Sequence, residues 1–372
     1  MHSAFAPTIS APPAQLESSA PGRICLFGEH QDYLRLPVIA MAVDLRVTIT
    51  GRRRDDKQMR LTLTDIGETF EFNPNEPFPY RHNRDYIPAA ANVLARLHGV
   101  SWPAGYDIEI TGRIPINAGA SSSSALQIAW TSFLLAAAGD PRASDPEFVA
   151  HVAQFSEVGE FGSPGGMMDH YSSALGGVVY LDCLDPIGWE HLPDTIGPFV
   201  LIDSGTPKAT NEVLGRVRHG VEAAATAAGI DLHAANDPSP LLNVDATKLP
   251  PPENAEQGAM LRAALRNRDI TREARAAMLS GATPAEIGHL LDAHHEQLAR
   301  GLGISTDRID ALLDTARAAG ATGGKINGSG GGGSCFVLAP SNADAVAEAI
   351  RALGRRADVV RPGEGLRVIS QP

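Results

Sequence analysis

Residues 115–124, Pro-Ile-Asn-Ala-Gly-Ala-Ser-Ser-Ser-Ser, run directly into residues 125–138, the most apolar stretch of the chain. This junction constrains the fold more than any other segment. Small residues let the backbone approach a ligand closely. The first turn of the helix that follows leaves N–H groups without partners, and its dipole favours an anion in front of them. Serine hydroxyls can cap the helix or ligate Mg²⁺. Pro115, Asn117, Ala118, Gly119, Ala120, Ser121, Ser122, Ser123 and Ser124 are therefore candidates for cradling a phosphate. The other reading is a serine-rich cap, although four successive serines exceed what a cap needs. No Gly-Lys-Ser/Thr follows, so this is not a Walker A loop. The helix, about 121–138, stops at Gly139. It is too short to span a bilayer and is broken by Gln127, which makes it a buried helix.

Three further clusters carry chemistry. Arg23 starts a short apolar strand that ends in Gly28-Glu29-His30-Gln31-Asp32-Tyr33. Two carboxylates, an imidazole and a phenol in one loop could grip the hydroxyls of a polyol; a solvated surface loop is the alternative. Glu157 closes a helix ahead of Gly165-Gly166-Met167-Met168-Asp169. One of these carboxylates could hold Mg²⁺ while the other meets an acceptor hydroxyl; Asp169 could equally begin a helix. Lys325-Ile326-Asn327-Gly328-Ser329-Gly330-Gly331-Gly332-Gly333-Ser334 contains a GxGxxG match. A dinucleotide-binding reading requires a helix next, and a strand-like stretch, 334–339, follows instead. Apolar strands on both sides argue against a flexible linker.

Between these clusters the patterns predict strands at 23–28, 38–50, 60–64, 69–72, 106–111, 177–182, 199–203, 322–327 and 334–339. They predict helices at 85–98, 145–157, 210–228, 271–279, 284–302, 306–319 and 342–353. Residues 1–19, rich in Pro, Ala and Ser, read as a disordered tail, and 237–253 as a long surface loop. The expected organisation is two α+β domains, 20–190 and 191–372. The adjacent His294 and His295 face different directions on a helix, which makes a shared metal site improbable.

The net charge of −12 argues against nucleic acid as a partner, because phosphate backbones require a basic face. It leaves ATP open, since only the local site must be positive and Mg²⁺ brings charge of its own. Cys25, Cys183 and Cys335 lie far apart with no CxxC spacing, which fits a reducing cytoplasm. The N-terminal stretch lacks the basic region and apolar core of a signal peptide. No membrane association is expected.

Taken together and in order, the four clusters resemble those of the GHMP kinases, closest to the galactokinase-like sugar kinases. The carrying residues are Ala20-Pro21-Gly22-Arg23 with 28–33, 115–125, Gly166-Met167-Met168-Asp169-His170 and 324–333, with His295 and Leu298 ahead of Ser305 in fitting spacing. The resemblance implies an N-terminal ATP-binding domain like ribosomal protein S5 domain 2 and a ferredoxin-like C-terminal α/β domain. It implies ATP as co-substrate with Mg²⁺, a small-molecule sugar as acceptor, and a monomer or homodimer. Asp169 would orient or receive the acceptor proton and Arg23 would stabilise the transferring phosphoryl group. Glu29, His30, Asp32 and Tyr33 would bind the sugar, and Ser123 and Glu157 would ligate Mg²⁺. Gly328, Ser329, Gly330 and Gly331 would shape the site beside the phosphate loop.

The chain departs from the sugar-kinase pattern in places. Leu34-Arg35-Leu36 replaces a turn with Asn and Gly, Asn117 replaces the first glycine of the phosphate loop, Gly215 stands where a tyrosine is expected, and no Trp precedes Tyr86. Residues 204–210 look more like mevalonate kinase. Against that reading stand Asp32, Tyr33 and an Arg at position 23 in place of Lys. The expected reaction is phosphorylation of the anomeric hydroxyl of galactose or a related aldose. The alternatives are a mevalonate-type kinase and an inactive relative acting as a sugar sensor.

Overall fold

A computed structural model describes residues 12–82, 85–114, 119–207, 210–232 and 239–371. The first 190 or so positions build most of a large sheet. Its strands are β1 (Gln15–Phe27), β2 (Val38–Arg53), β3 (Met59–Leu63), β4 (Glu68–Phe72), β5 (Tyr106–Gly112), β6 (Val178–Leu181) and β7 (Trp189–Leu192). The helices of this half are α1 (Tyr86–His98), α2 (Ser122–Ala137), α3 (Pro146–Gln154) and α4 (Met168–Leu175). The second half contributes β8 (Phe199–Asp203), α5 (Thr210–Ala227), α6 (Ala255–Leu279), α7 (Pro284–Glu296), α8 (Asp307–Ala318), β9 (Gly323–Asn327), β10 (Ser334–Leu338), α9 (Ala343–Arg351) and β11 (Ala357–Val360). These strands form a four-stranded antiparallel sheet in the order β11-β8-β10-β9. The last strand, β12 (Arg367–Gln371), returns to the first sheet. That sheet runs β12-β1-β2-β5-β3-β4, with β6 and β7 branching from β2. The mixed α+β class is as the sequence indicates.

Local chemistry accounts for the element ends. Asp145 caps α3 by accepting the N–H groups of Glu147 and Phe148, with Pro146 in the first helical position. Thr283 and Glu286 form a reciprocal capping box on α7. Helix α2 is buried on nearly all sides, so its residues read as a continuous apolar run. Trp130 stacks on Phe133 at 5.7 Å and donates its indole N–H to Ile87 O. A second core lies under the small sheet, and Leu34 and Leu36 insert into it from the loop after β1. The unusual Leu-Arg-Leu segment thereby anchors that loop to the second half.

Three expectations need correction. Residues 15–19, read as part of a disordered tail, form the start of β1 and pair with both β2 and β12. Helix α6 begins at Ala255, not near 271; its buried face includes Asn267 and Arg268, which obscures the apolar period. Strand β12, read as part of the second domain, is an edge strand of the first sheet. Residues 1–11 of the expected tail lie outside the described residues.

Candidate active site

Four chain segments converge on one cavity of about 250 Å³. They are the loop after β1, the N-terminus of α2, the N-terminus of α4 and the loop between β9 and β10. Asp169 lies in the first turn of α4. Arg23 reaches it from β1, with Nε and Nη2 at 2.8 and 2.7 Å from Oδ1. Arg23 also donates through Nη1 to Gly119 O at 2.7 Å. Ser121 Oγ donates to Asp169 Oδ2 at 2.5 Å. Burial by itself works against the charged form of Asp169. The attraction of Arg23 and the hydrogen bonds from Arg23 and Ser121 outweigh it, and the carboxyl sits below the usual range.

The phosphate-loop candidates face the same cavity. Ser121 adopts a left-handed conformation (φ 54°) at the start of α2 and gives no side-chain cap. Its hydroxyl is committed to Asp169, and the first-turn N–H groups of a helix such as α2 have no partner within the helix. Gly119, Ser121, Ser122, Ser123 and Ser124 all line it, while Ala120 lies behind them and accepts the Arg23 N–H through its carbonyl. Pro115, Asn117 and Ala118 lie outside the described residues. Glu157 also lines the cavity, and its Oε2 accepts from Ser124 Oγ at 3.1 Å and from His170 Nε2 at 2.7 Å.

The loop after β1 is braced on every side. Asp32 Oδ2 accepts the Met168 N–H at 3.1 Å and Oδ1 its neighbour's, Tyr33 N–H, at 3.0 Å. Burial, and then the charge of Asp169, push its pKa upward. A methyl group on Gly166 would lie 2.0 Å from Asp32 Oδ2, so only glycine permits this approach. His30 donates from Nε2 to Ser329 O at 2.9 Å, and Tyr33 Oη donates to its Nδ1 at 2.8 Å. Both ring nitrogens, expected to meet a sugar, are thus engaged by the protein. Burial lowers the His30 pKa to about 4. Glu29, buried, pairs with Lys325. Gln31 fastens the loop to the second half by donating to Ala264 O at 2.8 Å.

The third glycine-rich segment is only partly in the cavity. Gly328 and Ser329 line it. Gly330 packs against Ile304 and Gly331 against Val213 instead. Asn327 ties this segment to the small-residue loop by donating to Gly119 O at 2.9 Å, and to β1 by accepting the Cys25 N–H at 3.0 Å. Sequence reasoning gave Asn327, Lys325 and His170 no role of their own. Lys325 lies in a strand buried at all five positions, where a charged group needs partners, and no pattern in the sequence announces that burial. Thr210, Asn211 and Leu214 of α5 also line the cavity, as do Tyr86 and Val158. His294 is fully buried, whereas His295 bonds Asp310, so the two do not share a site.

Comparison with known proteins yields three family matches. The GHMP kinases N terminal domain matches residues 85–177, the GHMP kinases C terminal model matches 261–356, and the galactokinase galactose-binding signature matches 3–53. The mevalonate kinase of Pyrococcus furiosus is 29% identical over 350 residues, covering 91% of this chain and 93% of its own length. The galactokinase of Streptomyces coelicolor is 29% identical over 345 residues, covering 89% and 87%. The crystal structure of Lactococcus lactis galactokinase complexed with galactose shares the fold, with a TM-score of 0.80 at 22% identity and 95% of each chain covered.

Proposed function

The chain belongs to the GHMP kinases, whose N- and C-terminal models together span more than half of it, and on that premise we propose that it transfers the γ-phosphoryl group of ATP to a sugar. The acceptor proposed is the anomeric hydroxyl of galactose or a related aldose. The observation that carries this reading is the Asp169 carboxylate, held between Arg23 and Ser121 at the mouth of the open α2 N-terminus and beside the Glu29–Tyr33 loop.

In this reading the α2 N–H groups and the dipole behind them hold the nucleotide's phosphates. Arg23 adds positive charge where the transferring group passes, and its fork fixes the Asp169 carboxylate. Asp169, held below the usual carboxylate range, accepts a hydrogen bond from the attacking hydroxyl, orients it, and takes its proton as the new bond forms. Rate enhancement then comes mainly from positioning and electrostatics. Among the described residues no cluster of three or more His, Cys, Asp or Glu side chains could hold a metal unaided. Magnesium is ordinarily held by one or two carboxylates together with phosphate oxygens and water, so Glu157 and Ser123 fit an ion that arrives with ATP. When bound, that ion would neutralise charge on the phosphates. Ser124 and His170 would orient Glu157 for it.

A mevalonate-type kinase is the second reading. It is favoured by the Pyrococcus furiosus relative and by the Ser204-Gly205-Thr206-Pro207 segment. The sugar reading draws on the galactose-binding signature, on Arg23 of β1 and on Asp32 and Tyr33 of the loop after it. The retention of Arg23, Glu157 and Asp169 argues against an inactive sensor. No helix among the described residues is long and apolar enough to cross a membrane, and a cytoplasmic monomer or homodimer is part of the proposal. A coupled ADP-release assay with Mg²⁺ and ATP across galactose, other aldoses and mevalonate tests it. Turnover of mevalonate alone would overturn the sugar assignment.

A further inference from the structure

Lys325 stands on β9, where all five residues are buried, and is itself 0% exposed. A buried ammonium needs a partner for each N–H. Lys325 Nζ donates to Cys25 O at 2.8 Å, to Ile326 O at 3.0 Å and to Glu29 Oε1. The ammonium also lies 4.9 Å from the centre of the Phe336 ring, an arrangement that favours a cation and excludes water.

Glu29 lines the wall of the cavity on the loop after β1. One carboxylate oxygen is taken by Lys325. The other, Oε2, has no hydrogen-bond partner among the described residues and lies 3.8 Å from His294 Nδ1 on α7. His294 is fixed in turn, accepting the Gly28 N–H at Nε2 (3.4 Å) and stacking on Phe27 at 5.8 Å. Burial pushes the Glu29 carboxyl upward, and Lys325 is the main force opposing it. The pair thereby joins the third glycine-rich segment to the acceptor loop.

We propose that Lys325 is a positioning residue for acceptor binding: through Glu29 it sets the geometry of the acceptor loop, so that the third glycine-rich segment governs acceptor affinity without touching the acceptor. This inference rests on the reading of the Glu29–Tyr33 loop as the acceptor side of a kinase site.

The test is a double-variant cycle of Lys325→Met and Glu29→Gln, with separate KM values for acceptor and ATP. Wild-type protein is first assayed on each candidate acceptor. If only mevalonate is turned over, the sugar assignment fails and the cycle is run unchanged on mevalonate. Lys325→Met is expected to raise the acceptor KM about ten-fold or more while the ATP KM stays within about two-fold. The groups facing Glu29 are Lys325 from β9, His294 from α7, and Cys25 and Arg23 from β1. Removing Lys325 leaves the neutral carboxyl favoured, so the acidic limb of kcat/KM for the acceptor shifts to higher pH, and Glu29→Gln abolishes that shift. Lys325→Met strands a buried carboxylate and can impair folding. The double variant removes both charges, and its acceptor KM is expected to match that of Glu29→Gln alone. Parallel changes in both KM values, or a further rise of about ten-fold in the double variant over Glu29→Gln, would overturn the inference.

Discussion

Arg23 and Asp169, 146 positions apart, meet with two guanidinium nitrogens on a single carboxylate oxygen, at 2.8 and 2.7 Å. The second oxygen is left to Ser121 at 2.5 Å. Three contacts thus fix the orientation of the carboxylate beside the small-residue loop.

Replacing Asp169 by Asn keeps the shape and removes the charge. The variant is expected to fold and to lose roughly two or more decades of kcat, read by ADP release and circular dichroism. Near-native turnover would take Asp169 out of the mechanism.

Ser123 borders the cavity from α2 and Glu157 from the turn after α3. Ser123→Ala and Glu157→Gln are each expected to raise the Mg²⁺ concentration needed for half-maximal rate, by about ten-fold. A Mg²⁺ titration that superimposes on that of the native protein refutes their assignment as ligands.

Gly166→Ala places a methyl group against Asp32 Oδ2. Asp32 must rotate and give up the Met168 N–H, at about 1–3 kcal/mol of stability. The acceptor KM is expected to rise about ten-fold with little change for ATP. Steady-state kinetics with an unaltered acceptor KM would show that the Asp32 position is immaterial.

His30 titrates against the fold. Burial takes its pKa from an ordinary 6.5 to about 4, so the unfolded chain binds the extra proton between those values. The neutral ring therefore contributes stability that is complete above 6.5 and is lost as pH falls toward about 4. Melting temperatures of wild type and His30→Gln, taken near pH 7 and near pH 5, are expected to converge at the lower pH. A constant gap would mean that the ring carries no such linkage.

Much of this architecture was legible because the motifs are chemically narrow. The small-residue run ahead of an apolar helix, and a glycine tract between two strands, each left one sensible local structure. Asp169 could be singled out because a lone acid after a glycine-rich turn stood among three other informative clusters. What stayed hidden depends on partners distant in sequence. His30 looked like a ligand, and only the fold brings Ser329 to one of its nitrogens. The first half of α6 was obscured by buried polar residues, and β12 by its largely exposed edge position. Nothing in the sequence marks Lys325 as buried, and only the fold brings Glu29 to it from nearly 300 positions away.

The pairing of β12 with β1, Gln15 opposite Gln371, means that no single cut divides the molecule into two self-sufficient halves. A fragment ending after β7 would expose the bare flank of β1 to solvent and to its own copies. A chain in which β12 is joined to β1 by a short linker and which is reopened at the exposed stretch 251–254 would instead keep every strand pairing. Rearranged order, not separation, is the dissection this topology tolerates.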